Sequence, residues 1–191
     1  MTLTLYGGAR SRASMPRWYL EERGMPYAWV QLDMAAGEHR GEAFRAINPF
    51  AKVPALVHDD PSLPGGRLQL FESGAILLYL AELSGQESQS AADRAQAAQW
   101  VLFANATLAT ALFVPSSRER EFGPLMTVLD QRLADGRPLV GDAWGVADCA
   151  VEAYLAYLPV FFPDLDLSAW PAVVRRIADV QSRPAYRRVM G

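Results

Sequence analysis

The chain is predicted to be an α/β unit followed by an all-helical domain. Three observations lead there. Short apolar, β-rich runs alternate with helical stretches over about the first eighty residues. A polar stretch, residues 84–90, interrupts the pattern. From residue 91 onward, apolar residues recur only at helical spacing.

Leu3 and Leu5 anchor a first strand, ended by Gly7-Gly8. Residues 12–23 read as a helix stopped by Gly24, with Pro26 beyond it. Pro16 lies near that helix's first turns, where a missing N–H is tolerated. Residues 27–32 are strand-like, rich in aromatic and branched side chains. Residues 42–47 make a short helix closed by Asn48-Pro49. Strands at 55–58 and 68–71 flank 59–66, which is turn chemistry but long for a hairpin. A helix over Ser73–Ser84 follows, with Ile76, Leu77 and Leu80 on its apolar side. The order β-α-β-α-β-β-α predicts a mixed sheet.

In the second half, Trp100, Phe103, Thr107 and Ala111 share one helical face. So do Phe122, Leu125, Leu129 and Leu133, and then Val146, Ala150, Ala153 and Tyr157. Pro159, Pro163, Pro171 and Pro184 punctuate these helices. The expected domains are 1–84 and 91–191, with no internal repeat.

Composition narrows the function. A chain 51% hydrophobic and 20% charged is built to pack, not to stay disordered. No apolar run approaches the ~20 residues of a membrane helix. The opening Met1-Thr2-Leu3-Thr4-Leu5-Tyr6 lacks the basic start of a signal peptide, so a cytoplasmic location is expected. A net charge of -3 argues against nucleic acid or an anionic membrane as partner. Cys149 is the sole cysteine, which excludes an internal disulfide and a multi-cysteine metal site. Set mid-helix beside Ala150 and Val151, it reads as a structural thiol. Two histidines without ligand spacing argue against a metal, and neither a P-loop nor a dinucleotide fingerprint is present.

Several runs carry a family likeness. They are Leu20-Glu21-Glu22-Arg23-Gly24-Met25-Pro26-Tyr27, Gly37-Glu38-His39-Arg40, Ile47-Asn48-Pro49-Phe50-Ala51-Lys52-Val53-Pro54-Ala55-Leu56 and Phe71-Glu72-Ser73-Gly74-Ala75-Ile76. Together, and in this order, they resemble the cytosolic glutathione transferases, most of all the plant phi-type and cyanobacterial chi-type classes. The helical half matches through Gly141-Asp142 and Val146-Ala147-Asp148. The resemblance implies a thioredoxin-like first domain that binds glutathione and a helical second domain that shapes an electrophile pocket. It further implies a homodimer, and conjugation of the glutathione thiolate to small apolar electrophiles in detoxification.

Glutathione has two carboxylates, an ammonium and a thiol, and the residues can be matched to each. Ser73 opens a helix, so its hydroxyl and N–H suit the γ-glutamyl carboxylate, while Glu72 suits the ammonium. Ser73 can serve as an N-cap as well. Val53-Pro54 matches the family's cis-proline turn, which presents the Val53 backbone to the cysteinyl part. His39, Arg40 and Lys52 match positions that hold the glycine carboxylate; Lys52 is the only lysine among 18 basic residues. Arg40 replaces the lysine of the phi pattern and Lys52 its glutamine, so positive charge is kept or added.

Thiol activation is the departure from the family. The phi-type catalytic serine position falls on Arg10, with Ser11 one residue later. Either Ser11 donates a hydrogen bond to the sulfur, or Arg10 stabilises the thiolate as a cation, or both act. A guanidinium is no base at neutral pH, so its role would be electrostatic. Ser14, before Met15-Pro16, reads as an N-cap, and Tyr6 as a core or ligand-lining aromatic. Trp100, Phe103, Leu108 and Phe113 are the expected electrophile-lining residues, though that spacing also describes core. Asp148 should cap its helix, but Gly145 stands where the reciprocal Ser or Thr belongs. The alternatives are a glutathione-dependent isomerase or peroxidase on the same scaffold, or a non-catalytic binding module.

Overall fold

Alternation in β1 (Thr2–Gly7) turns Leu3 and Leu5 into the core and leaves Thr4 and Tyr6 half-buried. In the computed structural model, which describes residues 1–87 and 90–190, β1 is an inner strand of a four-stranded sheet ordered β2-β1-β3-β4. Here β2 is Ala28–Gln31, β3 is Ala55–Asp59 and β4 is Arg67–Phe71. The β1–β2 pair is parallel and therefore needs a crossover, which α1 (Ser14–Arg23) supplies; the other pairs are antiparallel. The short α2 (Glu42–Arg45) follows β2, and α3 (Ser73–Ser84) follows β4 and packs on α1. This is the expected thioredoxin-like order. Two compact units make up the chain: Met1–Ser84 with the C-terminal residues from Arg188, and Gly85–Arg187.

Local chemistry sets the boundaries in the first unit. Gly7 belongs to β1, and close approach explains its lack of a side chain. A Cβ there would lie 2.3 Å from the Cβ of Ala13 and 2.5 Å from the Trp29 ring. The first helix begins at Ser14, two residues later than expected, because hydrogen bonds to Ser11 hold 8–13 as a turn. Ser14 is not the N-cap the sequence suggests. Its hydroxyl donates to the Ser11 carbonyl at 3.0 Å. Gly24 ends the helix in the left-handed conformation, as read.

The second unit contains no strand among its described residues; Ser88 and Gln89 of the polar stretch lie outside them. Its helices are α4 (Ala91–Leu102), α5 (Ala109–Phe113), α6 (Pro115–Leu133), α7 (Val146–Phe161), α8 (Pro171–Ser182) and α9 (Pro184–Met190), whose last residues from Arg188 belong to the first unit. Between α4 and α5, Phe103–Leu108 widens to a π-helix. No single described helix is long and apolar enough to cross a membrane. Residues 146–158 of α7 are all buried, Cys149 among them, so α7 forms the axis of this core. Pro171 and Pro184 open helices, but Pro159 lies inside α7 instead of ending it. It stands in the last turn, where only the bond back to Leu155 is lost.

The cap on α7 comes from elsewhere. Asp148 Oδ2 accepts the Gly145 N–H at 3.0 Å, giving half of the box. A different open donor of the first turn is taken by Glu87, whose Oε1 accepts the Val146 N–H at 3.2 Å across 59 residues. A Cβ on Gly145 would sit 2.5 Å from Glu87 Oε2, so the glycine leaves room for this carboxylate. Deeper in α7, Glu152 accepts from Trp144 Nε1 at 2.8 Å and pairs with Arg176 at 2.9 Å. Burial pushes its carboxyl up to about 7 despite those bonds, and neighbouring Asp148 adds to the rise.

Candidate functional site

Strand register assembles the site. Tyr6 of β1 pairs with Ala55 of β3, and Ala55 pairs with Phe71 of β4. The end of β1, the start of β3 and the end of β4 therefore meet at one end of the sheet. Gly7 pairs with Gln31, so the segment that follows β2 leaves from that end too. Arg10 and Ser11, Val53 and Pro54, and Glu72 and Ser73 all lie within a few residues of these ends. Sequence separations of about forty and twenty residues are cancelled by pairing.

Each segment has a local cause for its shape. The Val53-Pro54 bond is cis, as the motif implies. Asn48 builds the loop ahead of it: its Nδ2 donates to the Lys52 carbonyl at 2.7 Å, and its Oδ1 accepts from the Phe50 N–H at 3.1 Å. Asn48 is 1% exposed, and its bonds span Ala51, a left-handed residue at φ 54. From the sequence, Asn48 is expected only to close the helix over 42–47. The signal was present, since Asn before Pro is side-chain-capped turn chemistry. Glu72 is left-handed as well, at φ 70, a conformation unfavourable for a side chain of its kind. It leads into Ser73, buried at the first position of α3.

Four candidate charges are unsatisfied among the described residues. Arg10, Arg40, Lys52 and Glu72 are all exposed, and none forms an ion pair or side-chain hydrogen bond with another described residue. His39 lies in the turn Glu38–Arg40, buried, and its Nδ1 has no hydrogen-bond partner. The arrangement can receive a ligand carrying both carboxylate and ammonium groups. Tyr6 lines a cavity of about 580 Å³ with Val30, Leu32, Glu38, Gly41 and Phe44, its ring centroid 6.0 Å from that of Phe44.

The four expected electrophile-lining residues do not share one environment. Trp100 and Phe103 stack edge to face at 5.5 Å and are half-buried. Phe113, 41% exposed, belongs to a cluster with Tyr154, Phe161 and Phe162. Leu108 is 0% exposed and is core, on the same helical face as the buried Val101, Ala104 and Leu112. No metal-binding cluster occurs among the described residues.

Comparison with known proteins shows the family. Residues 1–82 match the family model described as Glutathione S-transferase, N-terminal domain. Disulfide-bond oxidoreductase YfcG of Escherichia coli is 33% identical over 187 residues, covering 87% of this chain and 84% of that protein. Glutathione S-transferase GstB of the same organism is 32% identical, covering 90% and 88%. A glutathione transferase from Burkholderia graminis, solved with two glutathione molecules per subunit, superposes with a TM-score of 0.84 at 32% identity, covering 99% and 87%. The chain belongs to the glutathione S-transferase family.

Proposed function

We propose that this protein binds glutathione at the sheet end described above and conjugates its thiolate to small apolar electrophiles. The observation that carries the reading is that Arg10, Lys52 and Glu72, unpaired among the described residues, lie next to strand ends that register brings together, beside a cis Val53-Pro54 turn and the start of α3. Such a set is complementary to a zwitterionic tripeptide. Ser73 and the α3 N-terminus would take the γ-glutamyl carboxylate, and Glu72 the ammonium. The Val53 backbone would pair with the cysteinyl part, and His39, Arg40 and Lys52 would hold the glycine carboxylate. The glutathione-bound relative from Burkholderia graminis supports the choice of ligand.

Chemistry then depends on holding the sulfur as thiolate near neutral pH. A free thiol titrates near ~8.5, and each unit of lowering needs about 1.4 kcal/mol of preference for the anion. Arg10 is the cation placed to supply it. In the second unit, Trp100, Phe103 and Phe113 are the apolar side chains assigned to the electrophile. A homodimer in the cytoplasm belongs to the same reading.

Thiolate absorbance of bound glutathione, followed with pH in wild type and Arg10→Ala, is the test. The bound thiol should titrate at least about one unit below the free value, and Arg10→Ala should return most of that shift. Binding with an unshifted titration would replace the enzyme with a glutathione-binding module.

A second reading has its own support. The relative named a disulfide-bond oxidoreductase suggests reduction of a substrate disulfide by two glutathiones, yielding glutathione disulfide and two thiols. With the sole cysteine buried in α7, glutathione itself would provide both sulfurs. Formation of glutathione disulfide from a model disulfide substrate separates this activity from conjugation.

A further inference from the structure

The hydroxyl of Ser11 is fully engaged inside its own loop. It donates to the Gly8 carbonyl at 2.8 Å and accepts the N–H groups of Gly8 and Ala13, each at 3.3 Å. A serine hydroxyl has one proton and two lone pairs, so its capacity is used. The Ser11 carbonyl in turn accepts the Ser14 hydroxyl at 3.0 Å and the Ser14 N–H at 3.1 Å. Giving the proton to a ligand sulfur would break the bond that ties residue 11 back to residue 8.

The main chain beside it is in the opposite state. The N–H groups of Arg10 and Ser11 make no hydrogen bond to any described residue. Arg10, between the two ends of the brace, is left-handed at φ 51. Successive N–H groups about a left-handed residue converge and form a concavity that favours an anion. An arginine holds this conformation only where its surroundings impose it, and the three Ser11 hydroxyl bonds on either side of it do so.

We propose that Ser11 is a positioning residue, bracing the loop so that the Arg10 and Ser11 N–H groups, with the Arg10 guanidinium, receive the glutathione sulfur as thiolate. No hydroxyl proton is then spent on the sulfur. The thiol proton leaves to solvent, and the anion is held by main-chain donors that were already oriented. This rests on the glutathione reading above and assigns the residues that act within it.

The test uses the full-length protein, labelled with nitrogen-15, titrated in pH with glutathione and separately with S-methylglutathione, which cannot form a thiolate. The Arg10 and Ser11 amide protons should move downfield with the same midpoint as the bound thiol, and should not follow pH with the methylated ligand. Ser11→Ala should raise that midpoint and lower kcat/KM below it by about tenfold, whereas Ser11→Thr, which keeps the hydroxyl, should recover most of the loss. Two results would overturn the proposal. One is a depressed thiol titration that these two amides do not follow, returning activation to a side-chain donor. The other is Ser11→Ala with wild-type titration and amide shifts. If no amide near His39, Val53 or Ser73 responds to glutathione at all, the failure lies with the glutathione reading itself.

Discussion

Glu87 and Gly145 form one capping device, although neither residue announces it alone. The carboxylate of Glu87 accepts from the first N–H of α7 and places negative charge at the positive end of its dipole. Glu87→Ala should destabilise the protein by about 1 kcal/mol in chemical denaturation. Gly145→Ser supplies a hydroxyl cap of its own but crowds the Glu87 carboxylate, which must swing aside. In the Glu87→Ala background that crowding is gone, so the same serine should recover a large part of the loss. Strictly additive effects in the double-mutant cycle would show that the two residues do not share one cap.

Helix α7 carries a pH dependence as an element. It is buried throughout residues 146–158, so its carboxylates Asp148 and Glu152 are drawn out of water with it. Burial raises both, Glu152 from 4.5 to about 7. In that window the native state binds a proton that the unfolded chain has already released. Stability must therefore fall as pH rises from about 4.5 to about 7 and level off above it. The span corresponds to roughly 3 to 4 kcal/mol, since one unit is about 1.4. Denaturation of wild type and Glu152→Gln across this range should diverge, with the glutamine variant losing less stability as pH rises. Parallel curves would place the ionised carboxylate in the native state throughout.

The expected homodimer is a property of the whole molecule. Phe50 is 66% exposed and stacks edge-on against Phe71, itself 37% exposed, with ring centroids 5.3 Å apart. Paired aromatics left open to solvent are surface a second copy would cover. Phe50→Asp should shift the sedimenting mass from a dimer of the 21.0 kDa chain toward the monomer, leaving circular dichroism unchanged. A wild-type chain that sediments as a monomer would remove the dimer from the reading.

Much of this was written locally. Strands near Leu5, Val57 and Gln69 and the helix Ser73–Ser84 were legible because alternation, periodicity and turn residues act over a few positions. The family motifs named Arg10, Ser11, Val53, Pro54, Glu72 and Ser73 as candidates for the same reason: each motif is a short run. What local pattern could not carry was hydrogen bonding over unplanned distances. Ser11 delays α1 through bonds whose partners lie on both sides of a left-handed residue, and Ser14 opens the helix without capping it. Glu87 completes a cap 59 residues away. Leu108 lies in the core on the face of Val101, Ala104 and Leu112, and spacing alone did not say which face of this helix would be covered.

By itself, then, the sequence determined the fold class, the order of elements and the family, because those follow from periodicity and contiguous motifs. Only the tertiary structure decided which polar atoms are occupied and which are left open. Ser11 spends its hydroxyl internally, while the neighbouring amides and the charges of Arg10, Arg40, Lys52 and Glu72 make no bond to another described residue. The physical reason is that a hydrogen bond is a property of two positions in space, and one-dimensional spacing specifies only the first.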